Sequence, residues 1–266
     1  MSYLEVKNIV KCFDKDRILD GISFSLEESE TLCVIGRSGC GKTTLLRCLN
    51  YLENIDGGEV FLRGEKVLDN TFGKKKKDAE IAAKRRRFGL VFQSFNLFPQ
   101  YTAFENIRLP LVLDRKYRQK ENGQTMENGN LDEAVLALLA KVGLEDKKDF
   151  YPSQLSGGQQ QRIAIARAMA LKPDVLCFDE PTLALDPELT GEVLKVIREL
   201  KEQSRLTMIV VTHEMAFARG VSDKIMFMKG GRAIEFGAPE DVFSSRNEET
   251  VAFLKGYDQS LSPSQS

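Results

Sequence analysis

The run Gly36-Arg37-Ser38-Gly39-Cys40-Gly41-Lys42-Thr43 sets glycines, a lysine and a hydroxyl at the spacing G-x-x-x-x-G-K-[ST]. Glycines let a loop wrap a phosphate chain without Cβ clashes, and the N–H groups of the loop and of the helix that follows supply a partial positive field. Lys42 can then reach terminal phosphates and the Thr43 hydroxyl can ligate Mg²⁺. A second stretch, Val175-Leu-Cys-Phe-Asp179-Glu180, is an apolar run ending in two acids. At the carboxyl end of a parallel strand, where ligands gather, Asp179 can hold Mg²⁺ through its water shell and Glu180 can orient or deprotonate a water. Taken alone, these are two solvated acids at a strand end; beside a phosphate loop they are a catalytic pair. His213 is the single histidine and directly follows the apolar run Thr207–Val211 and Thr212. A lone histidine is more often structural than catalytic, but this position favours contact with a terminal phosphate.

A third stretch, Leu155-Ser156-Gly157-Gly158-Gln159, has two glycines ahead of a helix expected over 159–170. Ser156 and the N–H groups after it form a second anion-binding helix start. One chain thus carries two phosphate sites, the second in a different part of the sequence. One nucleotide can engage both only if the second comes from another molecule, which implies head-to-tail pairing of two copies around ATP.

The elements that must position these groups are legible as alternating patterns. Ile22, Phe24 and Leu26 alternate with serines as in a half-buried strand, and Thr31–Ile35 reads as a strand buried on both faces. Leu45, Leu46, Leu49 and Leu52 share one helical face. Residues 54–70 read as turn, strand, turn, strand, and Leu90–Phe92 as a short strand. From about 94 to 167 the texture is helical, with a clear helix starting at Leu131 and stopped by Gly143. The polar stretch 114–130 reads as a mobile loop. Strands return at Val175–Phe178 and Thr207–Val211 with a helix between them, the mark of a parallel sheet with crossover helices.

The 266 residues carry 38 Lys plus Arg against 39 Asp plus Glu, a net charge of -1 that argues against a nucleic-acid partner. No run of ~18 apolar residues spans a membrane, and the N-terminal residues do not read as a signal peptide. Five scattered cysteines form no pair motif, which suits a reducing compartment. Residues 74–87 hold eight basic and two acidic groups. This is either a solvated face or a surface lying near anionic headgroups.

The phosphate loop, LSGGQ, the strand ending in Asp179-Glu180, Leu185-Asp186 and His213, in that order, resemble the ATP-binding cassette (ABC) ATPases from about Leu4 to Leu254. The resemblance implies an α/β fold: a P-loop NTPase core with a mainly parallel sheet, an N-terminal antiparallel β subdomain and an inserted helical subdomain. It implies one nucleotide-binding domain over 1–255, with core and β subdomain at 1–93 and 168–255, helical subdomain at 94–167 and a disordered tail at 256–266. The implied cofactors are ATP and Mg²⁺. The implied nucleotide-binding set is Phe13, Gly36, Arg37, Ser38, Gly39, Cys40, Gly41, Lys42, Thr43, Thr44, Gln93, Ser156, Gly157, Gly158, Gln159 and Asp186. Thr43, Gln93 and Asp179 are implied as metal contacts, and Glu180, His213 and Lys42 as catalytic. Phe13 sits where the family places an aromatic under the adenine; plain strand-edge packing is the other reading. Asp186 matches an acid that crosses the dimer interface. Leu183 departs from the family's common serine, which weakens polar coupling there.

Arg47-Cys-Leu-Asn-Tyr-Leu-Glu53, Gln93-Ser-Phe-Asn-Leu-Phe-Pro99, Asp186-Pro-Glu-Leu-Thr-Gly-Glu192 and Thr212-His-Glu-Met-Ala-Phe-Ala-Arg219 are similar to cassettes of bacterial polar amino-acid importers. Thr102–Pro110 is similar instead to lipoprotein-release and export cassettes, so another cargo is the alternative. The implied partners are a second copy, a transmembrane permease at the cytoplasmic face and, indirectly, an extracytoplasmic substrate-binding protein. The aromatic segment Ser94–Glu105 is either local core or the wall of a groove for a permease helix. Cys40, inside the loop, is expected to be the most reactive thiol.

Overall fold

The computed structural model describes residues 2–71, 78–122 and 131–258. In chain order the elements are β1 (Leu4–Phe13), β2 (Asp16–Leu26), β3 (Thr31–Ile35), α1 (Lys42–Leu49), β4 (Gly57–Leu62), β5 (Glu65–Asp69), α2 (Asp78–Arg85), β6 (Phe88–Val91), α3 (Ala103–Asn122) and α4 (Leu131–Lys141). Then follow α5 (Gly157–Met169), β7 (Val175–Asp179), α6 (Pro187–Ser204), β8 (Thr207–Val211), α7 (Met215–Val221), β9 (Lys224–Lys229), β10 (Arg232–Gly237), α8 (Pro239–Phe243) and α9 (Glu248–Asp258). They group into two compact units, residues 1–75 with 205–266 and residues 76–204.

In the first unit, β1, β2, β4 and β5 form an antiparallel sheet in the order β2-β1-β4-β5. A separate layer has β3 between β8 and β9, parallel to both, with β10 antiparallel on the outside of β9. Every residue of β3 and β8 is buried, as expected of apolar runs covered on both faces. Leu45, Leu46 and Leu49 of α1 are buried as the face of a helix that must pack, whereas Leu52 lies beyond the helix and is exposed.

In the second unit, β6 and β7 pair in parallel. Glycine at 89 lets the pair be covered closely, since a Cβ there would lie 2.8 Å from the Ala168 carbonyl oxygen. Helix α6 buries Val193, Val196, Ile197 and Leu200, an i, i+3, i+4, i+7 stripe, and leaves its charged residues outward. The parallel pairings β3–β8, β3–β9 and β6–β7, linked by helices, bear out the α/β expectation, as does the antiparallel sheet near the N-terminus.

Several expectations change. The stretch from Asp114 to Asn122 is not loop but the second half of α3. Its Arg, Lys and Gln are good helix formers, and Arg86 and Arg118 clamp Asp114 at 2.6 and 2.8 Å. Residues 123–130 of the expected loop lie outside the described residues. The chain is still helical at 256–258, against the tail expected from 256; residues 259–266 of that tail lie outside the described residues. Of the basic cluster, Lys74–Lys77 lie outside the described residues. Arg86 and Arg87 are held in half-buried internal pairs with Asp114 and Asp174, which favours a structural role for that part. Among the described residues no helix is long and apolar enough to cross a membrane.

Candidate functional site

In the first unit the phosphate loop leaves the carboxyl end of β3 and runs into α1. Gly36 has φ 152°, and a Cβ there would stand 2.3 Å from the Met228 carbonyl oxygen of β9, so only glycine lets the loop press against that strand. At Gly39, φ is 79° and no atom lies within 4 Å of where a Cβ would be, so glycine is required there for its backbone shape alone. Arg37, Ser38 and Gly39 are exposed at the crest; Thr43 and Thr44 are half-buried at the helix start. Lys42 is buried, and its Nζ donates to the carbonyl oxygens of Gly36 at 2.9 Å and Arg37 at 3.3 Å. The lysine thus arches back over its own loop.

Because Val34 pairs with Val211 across the parallel β3–β8 ladder, the phosphate loop and His213 emerge at the same strand ends. The Thr212 N–H donates to Val34 O at 3.3 Å, and Thr212 Oγ1 accepts from the Glu214 N–H at 3.0 Å, fixing the turn that carries the imidazole. His213 Nδ1 lies 2.6 Å from the Tyr257 hydroxyl of α9, a partner that nothing in the sequence pointed to. Phe13, at the end of β1, is 43% exposed with Lys11 Nζ 4.7 Å from its ring centre. An exposed ring with a lysine over it is compatible with a stacked base and equally with packing at a strand edge.

Cys40 is buried, with Sγ turned under the loop so that a Cβ on Gly36 would meet it at 2.9 Å. The expectation of a reactive thiol at the loop crest is therefore corrected: the backbone of Cys40 serves the loop while its side chain is core. Cys12 is the one cysteine of the five that is not buried.

In the second unit, Val91 pairs with Phe178, so Gln93 and Asp179-Glu180 leave β6 and β7 at the same edge. Asp179 is buried, whereas Gln93 is exposed. Glu180 has φ 47°, a left-handed conformation uncommon for a residue with a side chain. Strain of this kind, about 1–3 kcal/mol, gathers where function dictates geometry. Gln161 of α5 donates from Nε2 to Phe92 O at 3.2 Å and so braces the turn into Gln93.

The LSGGQ segment forms the start of α5. Ser156 is the N-cap: its Oγ accepts from the Gln159 N–H at 3.2 Å, and Gln159 Oε1 accepts from the Ser156 N–H at 3.0 Å, a reciprocal capping box. The helix begins two residues before the expected 159. Ser156 is exposed, but Gly158 is buried, with a Cβ position 3.4 Å from Leu189. A carboxylate introduced at 158 would disturb packing as well as repel an anion, so Ser156 is the position at which to probe the contact. The Cβ position of Gly157 lies 2.9 Å from Leu185 Cδ2 and 3.5 Å from Phe95, so the Leu185-Asp186 turn and the segment after Gln93 both abut the helix start. Asp186 and Leu183 are exposed.

Two side chains without a motif hold the aromatic segment. Arg167 of α5 donates to Asn96 O at 2.6 Å and Phe95 O at 3.1 Å, gripping two residues at φ 52° and 51°. Burial holds its guanidinium below the usual arginine range. Asn106 of α3 is fully buried; its Oδ1 accepts from Phe98 N at 2.8 Å and its Nδ2 donates to the carbonyl oxygens of Phe98, Tyr101 and Thr102. Phe98, edge-on to Tyr101 at 5.9 Å, is 41% exposed, so the segment is an ordered surface with a partly open aromatic face.

Glycine-lined backbone, a cation and a hydroxyl at a helix start fit a triphosphate. Among the described residues no group of three His, Cys, Asp or Glu could hold a metal unaided.

The sequence matches the protein family described as ABC transporter over residues 19–183. The L-cystine import ATP-binding protein TcyC of Bacillus subtilis is 47% identical over 252 residues, covering 94% of this chain and 97% of that protein. The glutamine transport ATP-binding protein GlnQ of Geobacillus stearothermophilus is 45% identical, covering 90% of this chain and 92% of its own. Among solved structures, a dimeric ATP-binding cassette in a post-hydrolysis state bound to ADP and Pi is 33% identical with a TM-score of 0.73, covering 89% of this chain and 98% of its own.

Proposed function

This chain belongs to the ABC transporter family of ATPases, and on that footing we propose that it powers the import of polar amino acids through a membrane permease, bound at the permease's cytoplasmic face. Two copies close head to tail on two ATP molecules, each nucleotide held by the phosphate loop of one copy and by Ser156 to Gln159 of the other. The observation that carries this reading is the coexistence of two phosphate-type helix starts, Gly36–Thr44 and Ser156–Gln159, in a chain similar along its length to amino-acid import subunits.

Each residue has a role its chemistry allows. Phe13 stacks on the base. Lys42 and the loop N–H groups neutralise phosphate charge, and Thr43, Gln93 and Asp179 serve Mg²⁺ directly or through water. Mg²⁺, when bound, offsets charge on the phosphate oxygens. Glu180 orients and deprotonates the attacking water, and His213 donates to the γ-phosphate. Asp186 meets the partner copy. An extracytoplasmic binding protein delivers the cargo to the permease and does not touch this chain.

The test separates binding from hydrolysis. Glu180→Gln keeps MgATP binding, loses about 10²–10⁴-fold in turnover and accumulates an ATP-dependent dimer on sizing chromatography. Adding Ser156→Asp to that variant abolishes the dimer. Turnover at the parental rate in Glu180→Gln, or an undiminished dimer in the double variant, refutes the assignment. Uptake of cystine, glutamine or arginine into vesicles containing the permease, compared with Lys42→Ala, tests the cargo class.

A further inference from the structure

The C-terminal helix α9 reaches the loop after β8. Thr250, fully buried, donates to Glu235 Oε2 at 2.5 Å, and Lys229 pairs with Glu249 at 2.7 Å, fastening α9 to β9 and β10. Phe253 stacks on Phe227 of β9 with ring centres 4.8 Å apart and holds Tyr257 at 5.0 Å. The Tyr257 ring lies 6.2 Å from the imidazole of His213 at an interplanar angle of 24°, with its hydroxyl 2.6 Å from Nδ1. A phenol hydroxyl can donate or accept, and because it is a stronger acid than a neutral imidazole N–H it favours the arrangement in which the hydroxyl donates and Nδ1 accepts. With Nδ1 accepting, the ring proton must sit on Nε2.

We propose that Tyr257 is a positioning residue for His213: its hydroxyl fixes the Nε2–H tautomer, and the α9 aromatic stack fixes the ring plane, so that the imidazole is set as a donor before nucleotide arrives. The proposal rests on the reading of His213 as a γ-phosphate donor for its consequence in catalysis, but not for the tautomer itself. A neutral histidine with the opposite tautomer would offer a lone pair from Nε2 and repel a phosphate oxygen; removing the hydroxyl admits that form.

Because His213 is the chain's single histidine, ¹⁵N-histidine labelling of the full chain gives one unambiguous ring spectrum. In mildly alkaline buffer and without nucleotide, the parent shows Nε2–H. In Tyr257→Phe, which keeps the ring contacts, the tautomer ratio moves toward Nδ1–H by about five-fold, the effect of one hydrogen bond. A parent spectrum showing Nδ1–H, or a spectrum that Tyr257→Phe leaves unchanged, overturns the proposal. In the ATPase assay Tyr257→Phe lowers kcat about five-fold with KM for MgATP within two-fold, and adds nothing in a His213→Ala background. An equal loss in that background shows that Tyr257 acts through some other group and also overturns the proposal. If His213→Ala itself hydrolyses ATP at the parental rate, the γ-phosphate reading of His213 fails, while the spectrum still upholds the tautomer assignment.

Discussion

Two glycines of the phosphate loop, both at positive φ, make opposite demands, and alanine at each separates them. At Gly39 the added methyl meets nothing within 4 Å, so the loss is backbone strain alone, about 1–2 kcal/mol. At Gly36 the methyl would stand 2.3 Å from Met228 O, roughly 1 Å inside a carbon–oxygen contact of about 3.3 Å. Because that oxygen belongs to the buried strand β9, it cannot simply swing aside. Overpacking of about 1–3 kcal/mol adds to the strain, giving about 2–5 kcal/mol in all. At about 2–4 °C per kcal/mol for a chain of this size, Gly39→Ala lowers the thermal midpoint by about 2–8 °C and Gly36→Ala by about 4–20 °C. The measurement is calorimetric melting without nucleotide, since ligand would raise both midpoints. Adding Cys40→Ala to Gly36→Ala relieves the 2.9 Å sulfur contact but not the carbonyl, so it restores little. Equal shifts for the two alanines, or full rescue by Cys40→Ala, refute the reasoning that Gly36 is chosen for its approach to β9.

Arg167→Met removes two hydrogen bonds to carbonyls at left-handed residues and destabilises by about 2–3 kcal/mol, with chymotrypsin cutting between Phe95 and Phe98 several-fold faster; unchanged cleavage would show that the grip is dispensable. Brief maleimide labelling followed by peptide mapping finds Cys12 modified at least ten-fold faster than Cys33, Cys40, Cys48 or Cys177, and equal labelling of Cys40 and Cys12 would contradict the buried orientation of Cys40. Burial pushes the Cys48 thiol up to about 12, so the folded chain keeps its proton where the unfolded chain loses it. The resulting stability is intact below about pH 9 and is lost as pH rises toward 12, by about 1 kcal/mol per pH unit. Denaturant midpoints of the parent therefore fall more steeply than those of Cys48→Ala between pH 9 and 10.5, and parallel curves would refute this.

The helix starts at Gly36–Thr43 and at LSGGQ were legible because glycines and a capping serine at fixed spacing ahead of a helix have few other structural uses. The strands β3, β7 and β8 were legible because an unbroken apolar run has few other uses. What failed was judgement by polarity. Asp114 to Asn122 is charged because its helix is largely solvated, yet its helix formers and the clamp on Asp114 make it regular. Cys40 and Gly158 sit inside motifs read as ligand-facing, and spacing says nothing about which way an individual side chain or Cβ vector turns. Tyr257, Arg167 and Asn106 are contacts across 44, 71 and 8 residues, set by packing that has no local trace. The one available signal for Arg167 and Asn106 was polarity on otherwise apolar helix faces.

The aromatic segment is nailed at both ends from within, by Arg167 near the end of α5 and by Asn106 in α3. Ser156 caps the other end of α5, about 17 Å from Arg167 at 1.5 Å per residue, and the Phe95 ring reaches back to within 3.5 Å of the Cβ position of Gly157. In mechanical terms the helix is a push-rod with a clamped handle: a load applied to Phe98 has no slack loop in which to dissipate. The segment and the cap instead share contacts, through the grip of Arg167 and through Phe95 at Gly157. Stiffness of this kind transmits small displacements faithfully in both directions, so the cap can as readily drive the aromatic face as be driven by it.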